Sequence, residues 1–379
     1  MEEYDVTLVG AGLAGLHCAR LLGRKGLRVL LADRKPALDQ VHTTGIFVRR
    51  TLEDFDIPED CLGPAIRHVD LYSPAHRVLH LESEHEEFRI GRMAQLYDRY
   101  LNQCLEGGVK WIPSATYLDA TELNDKSVVR FRLGSATKSI ATRFLIGGDG
   151  ASSRVARDLQ LDRNSEWIVG VEDVYEEVSF DGTPRLLCFV NPRLAPGYIA
   201  WIASDGEQAH VGVAGYPNQF EPLAALEEFQ TRASKIFDVR YARRVERRGG
   251  RIPVGGILET IVNKRGLLIG DAAGAVSPLT AGGLDPCMRL STLAAGVTAM
   301  YLETGDPAIL SQYSGERFRS KFTSRIWARK VASKVNSVVL TELACAALRL
   351  PLFKALAKKV FFGRGSFPDV LMKPHPSAS

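Results

Sequence analysis

Three glycines near the start of the chain, Gly10, Gly12 and Gly15 in Gly10-Ala11-Gly12-Leu13-Ala14-Gly15, stand where the backbone itself does the chemistry. Between a strand and a helix, the first permits a tight turn, the second lets the main chain approach a pyrophosphate, and the third lets the helix pack on the sheet. The N–H groups that open the helix, those of Leu13 and Ala14 among them, offer donors and partial positive charge to phosphate. Asp33, followed by Arg34, closes the next apolar run, Val29-Leu30-Leu31-Ala32. That is the ~20-residue spacing at which a carboxylate accepts hydrogen bonds from ribose hydroxyls. The chemistry implied is the holding of a dinucleotide.

These residues need a frame of strands and helices. Tyr4–Val9 reads as the first strand and Val29–Ala32 as the second, with the helix between them. Further along, a short helix is predicted around Val48–Phe55 and alternating strands at Val69–Tyr72 and Val78–Leu81. A helix over Met93–Leu105, led by Arg92, and a strand over Val109–Ile112 follow. Thr142–Ile146 and Leu267–Ile269 each deliver a glycine turn, the region from Trp167 to Val254 is mostly strand-like, and a helix is predicted over Leu284–Leu302. The fold class is α/β. A discontinuous Rossmann-type domain covers 1–68, 90–165 and 255–302, a mostly antiparallel substrate domain of 69–89 and 166–254 is inserted in it, and 303–379 is a C-terminal helical basic segment.

Two more glycine–acid turns mark the chain: Gly147-Gly148-Asp149-Gly150, and Gly270-Asp271-Ala272-Ala273-Gly274 continuing through Pro278 to Gly282-Gly283-Leu284. They are similar to the DG and GD motifs of the flavoprotein superfamily that includes para-hydroxybenzoate hydroxylase, a resemblance covering Asp5 to about Leu302. It implies FAD. A flavin dinucleotide is long, and a second binding element must hold its far end. Asp271 suits a ribityl hydroxyl, while Gly282, Gly283 and Leu284 suit the flavin pyrimidine edge at a helix N-terminus. By resemblance Arg92 reaches the flavin phosphates or ribityl chain. Asp149 either spans the flavin and reductant regions or holds its own turn by capping.

Within that superfamily, GDAAG followed by Pro278 and glycines resembles the geranylgeranyl reductase family. So do Pro196-Gly197-Tyr198-Ile199-Ala200-Trp201, the Val211-Gly212-Val213 strand and Gly249-Gly250-Arg251-Ile252-Pro253. The family's cysteine–glycine pair is replaced by Thr44-Gly45, and Tyr198 and Trp201 are separated by two residues instead of one. Thr44, Gly45, Tyr198 and Trp201 are candidate pocket residues, the two aromatics being either a substrate clamp or core. The resemblance implies a reductase in which reduced FAD passes hydride to carbon–carbon double bonds of an apolar prenyl or polyketide-like substrate. NAD(P)H would bind transiently as reductant, since one Gly-x-Gly-x-x-Gly is present. Two alternatives stay open: an FAD monooxygenase, and a membrane-peripheral flavin-binding redox module.

Composition excludes other classes. With 45% hydrophobic and 24% charged residues the chain is globular. Six cysteines without a Cys-x-x-Cys pair point away from metal and disulfide frameworks, and the immediate first strand lacks a signal sequence, so a cytoplasmic location is expected. The net charge of +4 hides an asymmetry: between Arg317 and Arg364, 12 bases meet one acid, Glu342, among many apolar residues. This segment, 317–364, is either a helical cap packed on the body or a surface for peripheral contact with an anionic membrane. No recognition motif supports nucleic-acid binding.

Overall fold

A computed structural model of the protein describes residues 1–38, 41–178 and 182–363; Arg364 and the rest of the expected C-terminal segment lie outside the described residues. Its first sheet places Gly266–Leu268, Ala136–Gly147, Glu2–Val9, Val29–Ala32 and Lys110–Ile112 side by side and parallel. Val6–Val9 and Val29–Ala32 are buried throughout all but at Asp5's side of the first strand. Such unbroken apolar strands are what a parallel sheet covered on both faces requires. The helices Leu13–Gly23 and Leu284–Thr304 pack on it, the first burying Leu13, Leu16, Cys18, Ala19 and Leu22. The glycine turns therefore lie at the C-terminal ends of parallel strands, where open α/β sheets bind ligands.

Besides the short strands Ile46–Val48, Phe88–Ile90 and Val262–Asn263, two long strands were not foreseen. Ala115–Leu123 and Lys126–Leu133 form a hairpin that extends this sheet along the first half of Ala136–Gly147. Asn124, with φ 55°, occupies the left-handed region at its turn, which asparagine tolerates better than most residues.

The second sheet orders its seven strands as Arg243–Pro253, Trp167–Glu176, Ala209–Gly215, Ala200–Ser204, Arg185–Phe189, His68–Tyr72 and Val78–Glu82. Neighbours are antiparallel except for the parallel pair Arg185–Phe189 and His68–Tyr72. The region 166–254 is not all strand: Pro222–Ala233 is a helix that begins with proline at its first turn and buries Ala225, Leu226, Phe229 and Ala233. It covers one face of the sheet, against Val171, Ile202, Val211 and Val213. By the two-residue period of a strand, their neighbours Glu172, Trp201, His210 and Gly212 face the other way. Helices Thr323–Ala332, Val338–Ala347 and Pro351–Phe362 follow in the C-terminal part.

Candidate functional site

The three glycine motifs converge on one helix start. Gly10, with φ 103°, approaches the second motif so closely that a Cβ there would lie 2.2 Å from the Gly148 carbonyl oxygen. A Cβ on Gly15 would lie 1.9 Å from the Gly10 oxygen, and one on Gly270 would lie 2.8 Å from the Ala14 Cβ. Gly12 differs: its Cβ would meet nothing within 4 Å. Backbone contact thus explains Gly10 and Gly15, while the open space at Gly12 has room for a pyrophosphate. The helix opening at Leu13 has no side-chain cap, so its first N–H groups are available to phosphate.

Asp33 ends the second strand, as its spacing predicts. Ala11 N donates to its Oδ2 at 2.6 Å and Lys35 N to its Oδ1 at 2.8 Å, and each oxygen keeps lone-pair capacity for a ribose hydroxyl. Arg34 beside it is exposed. Asp149 is a turn holder: its carboxylate accepts from Ser153 Oγ at 2.6 Å, Arg154 N at 2.7 Å and Val155 N at 3.2 Å. Burial nevertheless pushes its pKa up, against those bonds.

Asp271 has the opposite character. No donor among the described residues bonds its carboxylate, and burial alone pushes its pKa up to about 6. It faces the Gly282–Gly283 turn, where a Cβ on Gly283 would lie 3.8 Å from Oδ1. The helix beginning at Leu284 also has no side-chain cap. Its first turn is anchored through Asp285, which accepts from Thr51 Oγ1 at 3.0 Å and Arg289 Nε at 2.9 Å, while Arg289 Nη2 reaches Asp54 at 2.6 Å. Pro278 is buried in the preceding turn. An acceptor without a donor beside an uncapped helix N-terminus suits a polyhydroxylated chain ending in an electron-poor ring. Together with the open space at Gly12, it shows that these residues fit FAD.

Thr44 and Gly45 lie in the loop that brings this end of the site to the second sheet. Gly45, with φ 83°, accepts from Gly91 N at 2.8 Å, and a Cβ there would press 2.7 Å from Met93 Cγ. Arg248 Nη1 fixes the loop by donating to the Thr43 carbonyl at 2.9 Å. Thr44 Oγ1 donates to Glu172 Oε2, which also accepts from Trp201 Nε1 at 2.8 Å. The indole reaches Glu172 by lying across Gly212, where a Cβ would be 2.2 Å from its Cζ2. Tyr198 and Trp201 share an apolar cluster with Tyr216, Ile252 and Ala281, and Ala281 belongs to the turn before Gly282. Tyr198 stands in the turn before the strand Ala200–Ser204 and not on the strand, because Gly197 takes φ 70° there.

The charges behind Thr44 were not foreseen. Glu172, His210 and Arg248 are each less than a tenth exposed. Arg248 Nε lies 2.9 Å from Glu172 Oε1, and His210 Nδ1 lies 3.4 Å from the same oxygen. On its other side His210 Nε2 faces Asp205 Oδ2 at 3.6 Å. Burial would raise the Glu172 pKa, but His210, Arg248 and the Thr44 hydroxyl outweigh it and hold it low. The available signal was Glu172-Asp173, two adjacent acids inside an apolar strand. Each serves one face: Asp173 takes Arg247 and Gln230 on the helix side.

Arg92 opens the helix Met93–Glu106, with its guanidinium on the Asp60 and Asp205 carbonyls at 3.0 and 3.4 Å and on Glu207 at 3.1 Å. In this arrangement it ties the helix to the Asp205 loop. His42 is exposed, and Cys287 is buried with its thiol pKa pushed up.

A family profile described as FAD binding domain matches residues 3–325. The chain belongs to the FAD-binding domain family. It is 25% identical over 350 residues to digeranylgeranylglycerophospholipid reductase 1 of Methanococcoides burtonii, covering 86% of this chain and 82% of that one. It is 26% identical over 321 residues to geranylgeranyl diphosphate reductase of Rhodobacter capsulatus, covering 81% and 78%. Its fold matches that of a geranylgeranyl bacteriochlorophyll reductase-like protein from Thermoplasma acidophilum with a TM-score of 0.83 at 19% identity, over 96% and 98% of the two chains. This member of the family is an FAD-dependent oxidoreductase.

Proposed function

We propose that the protein reduces carbon–carbon double bonds of an apolar, prenyl-like substrate, with NAD(P)H as the reductant. The observation that carries this reading is the meeting of Thr44 and Trp201 on Glu172, which sets the apolar cluster of Tyr198, Trp201, Tyr216 and Ala281 against the flavin end of the cradle. FAD, when bound and reduced, supplies the hydride, and one further proton completes saturation of the double bond. The chain's own residues do the positioning. Gly12 and the Leu13 helix start would hold phosphate, Asp33 the ribose and Asp271 the ribityl chain, and the Gly282–Leu284 turn would offer its N–H groups to the ring. Trp201 and Tyr198 offer broad apolar faces that exclude water from an extended hydrocarbon. The inserted sheet, 69–89 and 166–254, is proposed as the substrate domain and the remainder up to 302 as the cofactor domain. The names of the two reductases above, both acting on geranylgeranyl compounds, support the same substrate class.

The test is anaerobic. FAD-loaded protein is reduced, mixed with geranylgeranyl diphosphate or a geranylgeranylated glycerophospholipid, and followed by flavin absorbance and product mass. Flavin reoxidation with a gain of two hydrogens per double bond is the expected result. Turnover only with oxygen, and a product that has gained oxygen, would overturn reduction in favour of monooxygenation.

A further inference from the structure

We propose that the helices between Thr323 and Phe362 form a docking surface for an anionic lipid bilayer. Helices that merely cap a domain bury their apolar stripe against it. These do so only at Ile326, Leu348, Ala357, Phe361 and Phe362, which pack on the body, and leave most of their apolar surface uncovered. Among their residues, only Arg329 is buried in Thr323–Ala332, only Thr341 in Val338–Ala347 and only Ala357 in Pro351–Phe362. Most of their large apolar side chains face outward: Trp327 is 68% exposed, Val339 68%, Leu340 59%, Leu343 62%, Leu352 78% and Leu356 54%. Of 17 exposed large hydrophobic residues among those described, 11 fall between Trp327 and Val360. A concentration of that kind marks an interaction surface, where scattered single residues would not.

Charge identifies the partner. Lys330, Lys358 and Lys359 on these helices, and Lys334 and Arg349 in the turns between them, are exposed. The one acid of the segment is withdrawn from that surface: Glu342 accepts from Ser73 Oγ and Ala75 N, both at 3.0 Å, and lies 3.7 Å from Arg77 on the body. The outward face is therefore apolar and cationic with no carboxylate of its own. A second copy of this chain would bring like charges together, whereas an anionic bilayer satisfies both features at once. No described helix is long and apolar enough to cross a membrane, so the contact is with one leaflet.

The surface is joined to the apolar cluster of the site. Arg329 stands over the rings of Tyr198 and Tyr216 at 5.5 and 5.1 Å and donates through Nε to the Tyr216 hydroxyl at 3.1 Å. Arg329 is the buried residue of its helix, so the docking helices cover the Tyr198 side of that cluster with their inner face. The inference concerns a surface and does not rest on the proposed reaction, so binding and turnover fail separately.

The full chain, loaded with FAD, is sedimented with vesicles of phosphatidylcholine alone or of equal parts phosphatidylcholine and phosphatidylglycerol. Binding to the anionic vesicles is expected, weakened by added salt. Leu352→Ser with Leu356→Ser lowers it at least about tenfold, and Lys358→Gln and Lys359→Gln lower it about fivefold for each cation removed. These side chains are exposed, and retained flavin absorbance and melting temperature verify that the variants fold. No binding to anionic vesicles, equal binding to both compositions, or unchanged binding of the serine variant would overturn the proposal. So would self-association that the serine pair abolishes in a protein that ignores vesicles, an outcome that assigns the patch to a second copy.

Discussion

Trp201 donates its indole N–H to Glu172 Oε2 at 2.8 Å across a strand whose intervening residue is Gly212. The register puts Glu172 opposite Gly212 and Gly212 opposite Trp201, so the missing side chain is what lets the indole reach two strands over. Gly212→Ala is expected to push the ring off Glu172 at a cost of about 1–3 kcal/mol. Glu172→Leu strands Arg248 without its carboxylate and costs more, about 3–5 kcal/mol. Trp201→Phe keeps the ring and removes one donor, for about 1 kcal/mol. Urea unfolding of the three variants checks the order; equal losses would mean that Glu172 does not organise this wall.

The glycines of the first turn separate folding from cofactor binding. Gly10→Ala and Gly15→Ala drive a Cβ into backbone oxygens at 2.2 and 1.9 Å, and Gly10 also has φ 103°. Both should lower stability of the cofactor-free protein by more than about 2 kcal/mol. Gly12→Val extends into open space with a backbone, φ −76° and ψ −176°, that any residue adopts. Its cofactor-free melting temperature should stay near that of the parent, while the FAD dissociation constant rises at least about a hundredfold. Flavin titration and thermal unfolding on the same samples decide it, and a Gly12→Val protein that binds FAD normally would remove the pyrophosphate from this turn.

What was legible in the sequence follows from where each constraint is written. Gly10, Gly15 and Gly270 answer to close approach and Gly12 to open space beside a helix start, and all four stand in motifs that residue type at fixed spacing reveals. The parallel strand Val29–Ala32 and the buried end Val6–Val9 of its neighbour are legible as short, largely apolar runs. Glu172, Arg248, His210, Trp201 and Thr44 come from four strands and a loop, and only the register of the second sheet brings them together. Glu172 pairs with Arg248 across adjacent strands, a relation that no spacing along the chain encodes. The outward-facing C-terminal helices were ambiguous because an amphipathic pattern states that a helix has two faces, not which one meets the body. Tyr198 lies in the region that reads as mostly strand, but Gly197 with φ 70° keeps it in the turn before Ala200–Ser204.

Asp271 sets binding against stability. Its carboxyl is raised from 3.8 to about 6 by burial alone. An acid whose folded pKa is raised costs nothing below its unfolded pKa, and the cost grows between about pH 4 and 6 and is complete above. Asp271→Asn should therefore stabilise the cofactor-free protein at pH 7 by about 1–3 kcal/mol, with the gain vanishing toward pH 4. The same variant should bind FAD more weakly. Denaturant unfolding across pH and a flavin titration test both halves. A loss of stability at pH 7 would show that the carboxylate has a donor in the protein itself.

His210 should give the network behind Thr44 a pH dependence of the same sense, at higher pH. Its neutral ring accepts at Nδ1 from Arg248 Nη2, 2.9 Å away; its protonated ring donates toward Glu172 at 3.4 Å and faces Asp205 at 3.6 Å. Burial and Arg248 oppose protonation, but the two carboxylates prevail and raise its pKa above the ordinary 6.5. A histidine raised in the folded state adds stability that is fully present below its unfolded pKa and is lost as pH rises through the folded one. The contribution should therefore be complete below about pH 6.5 and decline above it. His210→Gln cannot titrate, so the stability gap between parent and variant should be largest in mild acid and narrow as pH rises past neutrality. Denaturant unfolding at a series of pH values measures that gap. A gap that widens with rising pH would mean that the neutral ring, accepting from Arg248, is the form the fold prefers.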